Sequence, residues 1–310
     1  MTIPTLASKY EYKLSASTHI INSLKHLFFS KTTKVSLPLF VKGTDAISIA
    51  PQIFGYHEPH IKEVIEHFAA NGFGNFLIDI GANIGLTSCQ SGNKFKQVFM
   101  YEPNPDCFSI LKVNAKISLH KCQVHLNPFG LGDNKSMTTL TIPKHNWGGA
   151  FIRDETNSYS DQILAEKDNF KEFKDGNYEK IQIQIESTTE VLTQVFKNLN
   201  SQSLCSGVIK IDVEGYELSI LEALAKIVPK NFHLAVIFEN FDKNFDVAQL
   251  ENHFNGRANL FKLKQSPILT GSKIRKIFSL IFNGGFSTKI IHKSIGENDG
   301  DLILLIDNIK

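Results

Sequence analysis

Short apolar segments alternate along the chain with segments in which apolar residues recur every three or four positions. The short segments predict β-strands, and the longer spacing predicts amphipathic helices between them. Such an alternation is typical of a mainly parallel sheet with helices on both faces, so we predict an α/β fold. The first, fourth and fifth strands are almost continuously apolar, which indicates central strands covered on both faces. The predicted strands are FLIDI (76–80), QVFMYE (97–102), QVHLNPFGLG (123–132), GVIKIDV (207–213) and HLAVIFE (233–239).

Three regions depart from this alternation. Residues 1–70 form an N-terminal extension that we predict to be helical, ending in a helix that glycines stop. Residues 71–310 form the main domain, and within it residues 136–186 hold further strand-like runs around a polar segment at 154–180. We interpret these runs as an insertion on the surface. A basic tail follows at about 252–296, where eight Lys and Arg residues occur without any Asp or Glu.

The composition sets the class of molecule. The 310 residues are 42% hydrophobic and 21% charged, which is ordinary for a globular protein, and a net charge of +2 does not favour a nucleic-acid partner. The four cysteines form no C-x-x-C pair and have no histidine at zinc-site spacing, so neither a disulfide framework nor a metal site is predicted. The sequence shows no signal-peptide pattern and no run of 18 apolar residues. We therefore expect a reduced, cytoplasmic location.

The segment FLIDIGANIGLTS (76–88) carries the first candidate site. An apolar strand runs into a glycine turn and then into the start of a helix, and such turns bind nucleotide-like ligands. Asn83 lies where a dinucleotide-binding turn needs its second glycine, so its side chain would obstruct a pyrophosphate. The N–H groups at the start of the helix could still hold a smaller anion, such as the carboxylate of S-adenosylmethionine. The candidate cofactor contacts in this segment are Asp79, Gly81, Asn83 and Gly85.

Acidic residues at the ends of the next two predicted strands complete the candidate cofactor site. Glu102, 23 residues beyond Asp79, is placed to accept hydrogen bonds from both hydroxyls of a ribose. Asp133, after the third strand, could accept a hydrogen bond from an adenine amino group. Glycine turns and acids at strand ends are also common without a ligand, so it is their joint spacing that favours an adenosyl site.

Three segments together resemble the FkbM-type methyltransferases, a family of class I S-adenosylmethionine-dependent enzymes. They are FLIDIGANIGLTS, the YEPNP that contains Glu102, and IKIDVEGYELSILEAL (209–224), and the resemblance covers about residues 55–240. FGYHEP (54–59) is similar to the family's segment before the first helix, which adds Glu58 to the candidate cofactor contacts. The resemblance implies a seven-stranded Rossmann-like sheet of order 3-2-1-4-5-7-6, with DLILLID (301–307) as the antiparallel strand 7. It also implies methyl transfer to oxygen, often on a sugar hydroxyl of a natural product or surface glycan.

The segment KIDVEGYE supplies candidate catalytic residues, because Asp212 and Glu214 lie at the carboxyl end of a predicted central strand. Asp212 would point into the crevice beside the transferable methyl group, where it could take the proton of an attacking hydroxyl or orient that hydroxyl. The alternative is that both acids cap the helix that begins near Tyr216. Glu239, at the end of the fifth strand, could complete the acceptor site or cap its strand. These three acids could ligate a hard cation, but no binding loop accompanies them, so we predict no metal.

Two further segments have alternative interpretations. WGGAF (147–151), which contains the only tryptophan, is either a lid over the cofactor or a hairpin turn. SKIRKIFSLIFNGGF (272–286), within the basic tail, predicts an amphipathic helix that either contacts an anionic membrane or packs on the sheet.

Methyl transfer has two rivals as the function. A non-catalytic protein that binds a glycan or lipid could keep the same fold, and a dinucleotide-dependent oxidoreductase would use a similar sheet. Methylation of a nucleic-acid base is disfavoured, because the chain lacks the aromatic-proline motif of amino methylation and no cysteine follows a proline. We therefore expect S-adenosylmethionine as cofactor, a small-molecule or glycan acceptor and no nucleic-acid partner. The sequence leaves the oligomeric state open.

Overall fold

The computed structural model describes residues 16–32, 38–43, 45, 47–154, 157, 174–240, 247–267, 272, 286–292 and 300–307. Within them the chain forms eight α-helices and twelve β-strands. The helices are α1 (Ala16–Thr32), α2 (Ile49–Phe54), α3 (Pro59–Phe68), α4 (Leu86–Ser91), α5 (Pro105–Ser118), α6 (Thr188–Ser201), α7 (Glu217–Ile227) and α8 (Val247–His253). The strands are β1 (Phe76–Ile80), β2 (Gln97–Tyr101), β3 (Gln123–Asn127), β4 (Gly130–Gly132), β5 (Ser136–Pro143), β6 (Phe151–Ile152), β7 (Tyr178–Ser187), β8 (Ser206–Ile211), β9 (His233–Asn240), β10 (Ala258–Pro267), β11 (Phe286–His292) and β12 (Gly300–Ile306).

The larger of two sheets has eight strands in the order β11-β10-β12-β9-β8-β1-β2-β3. The five strands from β9 to β3 are parallel, whereas β12, β10 and β11 run antiparallel to their neighbours. The predicted order 3-2-1-4-5-7-6 is therefore confirmed, with β12, the predicted strand 7, antiparallel to β9. Strand β11 pairs with the outer edge of β10 and extends the sheet by an eighth strand.

The strands predicted between residues 136 and 186 are observed as β5, β6 and β7, and with β4 they form a second sheet in the order β4-β7-β5-β6. Its longest ladder is the antiparallel pairing of β5 with β7. One prediction is wrong here, because the segment 123–132 is two strands and not one. Pro128, which lacks the N–H group that a ladder needs, follows β3, and β4 then leaves the larger sheet to pair with β7. Of the polar segment at 154–180, the structure describes residues 154, 157 and 174–180.

The core lies on both faces of the larger sheet, because side chains alternate along each strand. Phe76, Ile78 and Ile80 of β1 belong to a buried cluster with residues of α6, α7 and α8. Leu77 belongs to a second cluster with residues of α3 and α5. All five residues of β1 are buried, as expected for a central strand. Burying an apolar side chain of this size contributes about 1.5–3 kcal/mol to the free energy of unfolding, relative to leaving it exposed. The packed core therefore stabilises the strands that carry the residues at the edge of the sheet.

The two terminal regions are described in part. The N-terminal extension is helical at α1, α2 and α3, and residues 1–15 lie outside the description. Of the predicted amphipathic helix at 272–286, only the two end residues are described, and the described parts of the tail include β10 and β11. None of the described helices is long and apolar enough to cross a membrane.

Candidate active site

A cleft opens at the carboxyl ends of β1, β2 and β8, between the larger sheet and the second sheet. Its cavity volume is about 240 Å³. The larger sheet contributes the residues that follow β1 and β2 and those at the end of β8, and the second sheet contributes Leu140, Phe151 and Ile185. Ligands of open α/β sheets bind at this edge.

The glycine turn after β1 brings the backbones of neighbouring strands into direct contact. Gly81 has a φ of +83°, and a Cβ atom there would lie 1.9 Å from the backbone oxygen of Asp212. The N–H groups of Gly81 and Ala82 both donate to the carbonyl of Tyr101, at 3.0 Å each. Only glycine fits here without displacing Asp212, so the turn fixes the spacing between the ends of β1 and β8. Gly81 and Asn83 both line the cleft.

Two of the predicted cofactor contacts lie behind this turn and do not line the cleft. Gly85 packs on α5, where a Cβ atom on it would lie 2.6 Å from Leu111 Cδ1. Asp79 is buried, and its Oδ2 accepts a hydrogen bond of 2.6 Å from Ser88 Oγ. Burial raises the pKa of Asp79. Both residues support the turn from below, and their contact with a cofactor stays a prediction.

Glu102 follows β2 directly and lines the cleft, although only 6% of the residue is exposed. Its Oε2 accepts a hydrogen bond of 2.7 Å from the N–H of Asn83, and its Oε1 accepts one of 2.7 Å from the N–H of Asn104. Burial raises the pKa of Glu102 to about 7, although these two hydrogen bonds favour the ionised form. The two backbone groups fix the carboxylate, and each oxygen has a second lone pair that can accept from a ligand.

Asn83 connects the glycine turn to the second sheet. Its φ of +50° lies in the left-handed region, which asparagine tolerates better than most residues. Its Nδ2 donates a hydrogen bond of 3.1 Å to the carbonyl of Trp147, and its Oδ1 accepts one of 2.7 Å from the N–H of Ile84. The side chain that the sequence predicts to obstruct a pyrophosphate therefore holds the loop that contains Trp147.

Acidic residues line the part of the cleft that lies toward β8 and β9. Asp212 continues the β8 ladder, because its N–H donates to the carbonyl of Ile80 at 2.9 Å. Glu214 forms an isolated bridge with Phe151 of the second sheet. The predicted catalytic acids are therefore brought to one side of the cleft, and Glu58, at the start of α3, joins them. The acids that line the cleft here are Glu58, Asp212, Glu214 and Glu239.

Lys210 is the buried partner of these acids. Its Nζ lies 2.6 Å from Asp212 Oδ2, and its side chain is 8% exposed, against 41% for that of Asp212. Burial disfavours the ammonium, but the carboxylates of Asp212, Asp79 and Glu58 together raise the pKa of Lys210. The pair thus presents a carboxylate to the cleft with its counter-ion behind it. No role for Lys210 was predicted. Lys210 and Asp212 are two positions apart in an extended segment, so their side chains lie on the same face, and this spacing could have predicted the contact.

The start of α7 bears on the alternative role of the acids as helix caps. The N-cap position is occupied by Tyr216, whose side chain makes no capping hydrogen bond. Glu217 Oε2 instead accepts a hydrogen bond of 3.0 Å from the N–H of Gly215. Asp212 and Glu214 both precede the N-cap position, and the Asp212 carboxylate contacts Lys210. Capping therefore does not account for Asp212.

Asp133, the predicted adenine contact, is exposed and lies outside the cleft. Its carboxylate accepts a hydrogen bond of 2.6 Å from Ser219 Oγ, and this geometry gives no support to the predicted contact with adenine.

His57, for which no role was predicted, lines the cleft beside Glu58. Burial lowers the pKa of His57, which favours neutral imidazole at pH 7. Within the described ranges, no three His, Cys, Asp or Glu side chains are arranged to hold a metal ion.

The chemistry of this donor set suits S-adenosylmethionine. Glu102 has carboxylate oxygens that can accept hydrogen bonds from hydroxyl groups, and its neighbour Pro103 lies beside Gly130 and Leu131, which give that side of the cleft an apolar lining. The acidic residues toward β8 and β9 complement the positive charges of the sulfonium and ammonium groups. The cleft therefore has a side compatible with an adenosyl group, toward β2, and a side compatible with a positive charge, toward β8 and β9.

Comparison with known proteins gives one family. Residues 79–265, more than half of the chain, match the family described as the methyltransferase FkbM domain. Methyltransferase sdnD of Sordaria araneosa is 26% identical to the chain over 157 residues, which are 48% of this chain and 60% of that protein. The chain therefore covers less than two thirds of that relative's length.

Similar solved structures include an O-methyltransferase from Bacillus cereus in complex with SAH, with 9% identity and a TM-score of 0.36, covering 97% of this chain and 96% of that one. Another is precorrin 8w decarboxylase of Methanobacterium thermoautotrophicum, with 9% identity and a TM-score of 0.37, covering 79% of this chain and 88% of that one. Because these values are low, the assignment rests on the sequence match. The resemblance predicted from the motifs is confirmed, and the chain belongs to the FkbM family of S-adenosylmethionine-dependent methyltransferases.

Proposed function

We propose that the chain transfers a methyl group to a hydroxyl oxygen, on a sugar of a surface glycan or a natural product. The observation that carries this proposal is the place of Asp212, whose partly exposed carboxylate lines the cleft at the end of β8 and is held by buried Lys210. A carboxylate there can orient an attacking hydroxyl and take its proton. The sugar as acceptor follows from the resemblance to the family.

The residues toward β1 and β2 hold the cofactor in this proposal. Glu102 accepts hydrogen bonds from the ribose hydroxyls, and Gly81 and Asn83 form the floor below the cofactor. Glu58, at the start of α3, reaches the cofactor from the opposite side of the cleft, among the acids toward β8 and β9. When bound, S-adenosylmethionine supplies a methyl group on a positively charged sulfur. In-line positioning of the acceptor oxygen against that methyl provides most of the acceleration.

The residues toward β8 and β9 hold the acceptor. Asp212 would accept the hydrogen bond of the acceptor hydroxyl and receive its proton as that oxygen takes the methyl group and the methyl–sulfur bond breaks. Glu214 and Glu239 line the same side of the cleft, and their oxygens can accept hydrogen bonds from further hydroxyls of a sugar.

A cytoplasmic location and a contact of residues 252–296 with an anionic membrane belong to the same proposal. Most of the basic amphipathic segment within that region lies outside the described residues.

Calorimetric titration with S-adenosylmethionine, S-adenosylhomocysteine and NAD tests the cofactor. We expect binding of the first two and none of NAD, and preferential binding of NAD would favour an oxidoreductase. Transfer of a labelled methyl group to a panel of free and lipid-linked sugars tests the acceptor. Binding of S-adenosylhomocysteine without transfer to any of them, and with glycan binding instead, would favour the non-catalytic protein.

A further inference from the structure

In the N-terminal extension, the described residues of the segment 38–48 lie against the cofactor side of the cleft, although the segment precedes the matched domain at 79–265. The structure describes this segment except for residues 44 and 46. Asn114, a fully buried residue of α5, holds it: Oδ1 accepts from the N–H of Phe40 at 2.6 Å, and Nδ2 donates to the carbonyl of Phe40 at 3.0 Å. The same Nδ2 donates to the carbonyl of Ile84 in the glycine turn at 2.7 Å. One amide thus joins the extension to the turn.

Asp45 makes the second connection, to the loop that contains Trp147. Only 2% of Asp45 is exposed, its Oδ1 accepts from the N–H of Trp147 at 2.8 Å, and its Oδ2 accepts from Ser48 Oγ at 3.1 Å. The carbonyl of Trp147 accepts from Asn83, whose N–H donates to Glu102. A continuous series of hydrogen bonds therefore runs from the extension to the carboxylate assigned to the ribose.

Apolar contacts close the same wall. Ile47 and Trp147 both line the cleft, and they pack with Leu39 and Val41 of the segment against the buried cluster of Ile84, Leu86 and Cys107. Lys42 Nζ lies 3.8 Å from the centroid of the Trp147 ring, a cation–π contact. Trp147 is thus held by Asp45 at its backbone N–H, by Lys42 over its ring and by apolar neighbours that include Leu39, Val41 and Ile47.

We propose that residues 38–48 and Trp147 form one wall of the S-adenosylmethionine site, and that Asp45 is a positioning residue that holds Trp147 in this wall. The proposal rests on the proposed function, because it takes Glu102 as the ribose contact. It replaces both interpretations of WGGAF: the segment is a fixed wall of the cofactor site, and neither a flexible lid over the cofactor nor a hairpin turn without contact to the ligand. It also makes this segment of the extension a necessary part of the enzyme.

The single tryptophan of the chain makes the wall directly observable. We expect its fluorescence to change when S-adenosylhomocysteine binds, in step with calorimetric binding. Asp45→Ala should weaken binding about tenfold and shift the tryptophan emission of the free protein to the red, because the loop loses its anchor and the ring becomes hydrated. Asp45→Asn should bind close to wild type, because its amide oxygen can still accept from the Trp147 N–H.

Two further variants serve as controls. Ser201→Ala removes an exposed serine hydrogen bond, to the carbonyl of Asn198 at the end of α6 and outside the cleft, so its affinity should stay within about twofold of wild type. If Asp45→Ala does not fold, Ile47→Ala, which trims a cleft-lining side chain, should weaken S-adenosylhomocysteine binding at least threefold. Wild-type affinity in both Asp45→Ala and Ile47→Ala, with unchanged tryptophan emission on binding, would overturn the proposal while leaving the proposed function intact. Absence of any binding by the wild-type protein would instead overturn the proposed function.

Discussion

Lys210 Nζ and Asp212 Oδ2 lie 2.6 Å apart on one face of the same chain segment, with the lysine buried and the aspartate open to the cleft. A buried ammonium at this distance favours the ionised form of its partner and limits the carboxylate to few orientations. For a methyltransferase this arrangement favours an acceptor hydroxyl that is oriented first and deprotonated as it attacks, because a carboxylate stabilised by an ammonium is a weak base.

Lys210→Met tests this relationship through the pH dependence of methyl transfer. We expect kcat to fall and the acidic limb of the kcat profile to move to higher pH, because Asp212 becomes easier to protonate without the cation. Lys135→Met is the matched control, since it removes the cation of a surface pair in which Lys135 Nζ lies 2.8 Å from Glu186. An unchanged profile in Lys210→Met, with normal S-adenosylhomocysteine binding, would show that Lys210 is structural.

Glu102 should make cofactor affinity depend on pH. Its pKa in the free protein is raised to about 7, and ribose hydroxyls donate to the ionised form. Affinity for S-adenosylhomocysteine should therefore rise as pH rises through about 7, by at most tenfold per pH unit below that value. In Glu102→Gln we expect affinity weaker by roughly 1–3 kcal/mol and independent of pH between 6 and 8. Calorimetry at several pH values decides this, and a flat profile in the wild type contradicts the ribose assignment.

Glu102 should also make the free energy of unfolding depend on pH, but this free energy should fall as pH rises. Because burial raises the pKa of Glu102 from 4.5, its protonated form stabilises the ligand-free fold at pH below 4.5, and this contribution is lost as pH rises through about 7. Relative to Glu102→Gln, the wild-type protein should therefore lose stability over this range, by an amount on the order of 3 kcal/mol. Denaturant titrations of both proteins at pH 5 and pH 8 measure the difference. Parallel behaviour of the two proteins would argue against the raised pKa.

Alanine substitutions at three glycines can distinguish the effect of backbone strain from the effect of steric contact. Gly81→Ala adds a Cβ atom at a φ of +83° and at 1.9 Å from the Asp212 oxygen, so it should destabilise the fold and displace Asp212. Gly72→Ala meets a φ of +100° with no atom within 4 Å, and it should cost only about 1–2 kcal/mol of left-handed strain. Gly176→Ala, with neither problem, should be nearly neutral.

Melting curves and methyl-transfer rates of these three variants give the comparison. Activity should be lost in Gly81→Ala beyond what its stability explains, and it should be retained in Gly72→Ala. Equal effects at the two positions would mean that contact with Asp212 is unimportant.

The alternating apolar pattern predicted the parallel part of the sheet, and the resemblance to the family supplied the strand order. FLIDI and GVIKIDV lie side by side as β1 and β8, and the glycine turn between them requires that contact. The division of residues 123–132 into β3 and β4 was missed, because an apolar run carries no mark of which sheet it joins. Pro128 was the only local signal of the break.

The sequence predicted which acids at strand ends line the cleft, as at Glu102 and Asp212, and their roles there stay predictions. Contacts between segments that are distant in the sequence were not predictable. Asp45 and Trp147 lie about a hundred positions apart, and no period or spacing connects them before the chain folds. Lys210 was missed for another reason. The charge of a lysine inside an apolar strand depends on the carboxylates that pack around it, and two of the three come from other segments of the chain.

Asp212→Asn tests the catalytic role itself. The amide is nearly isosteric, so the fold and the affinity for S-adenosylhomocysteine should be kept, while turnover should fall by roughly 10²- to 10⁴-fold, the usual contribution of a positioned acid or base. Were Asp212 only a helix cap, asparagine would serve about as well and activity would survive. The N-cap position is occupied by Tyr216, which already favours the first outcome.

The assay for this variant needs an acceptor, so the panel of free and lipid-linked sugars comes first. Glu190→Gln, at the first turn of α6, is a suitable control, because it changes an acid near a helix start that lies outside the cleft. It should turn over at the wild-type rate. If Asp212→Asn also turns over at the wild-type rate on an acceptor that the native enzyme methylates, Asp212 is not the base. Glu214 and Glu239, which line the same side of the cleft, then become the residues to replace.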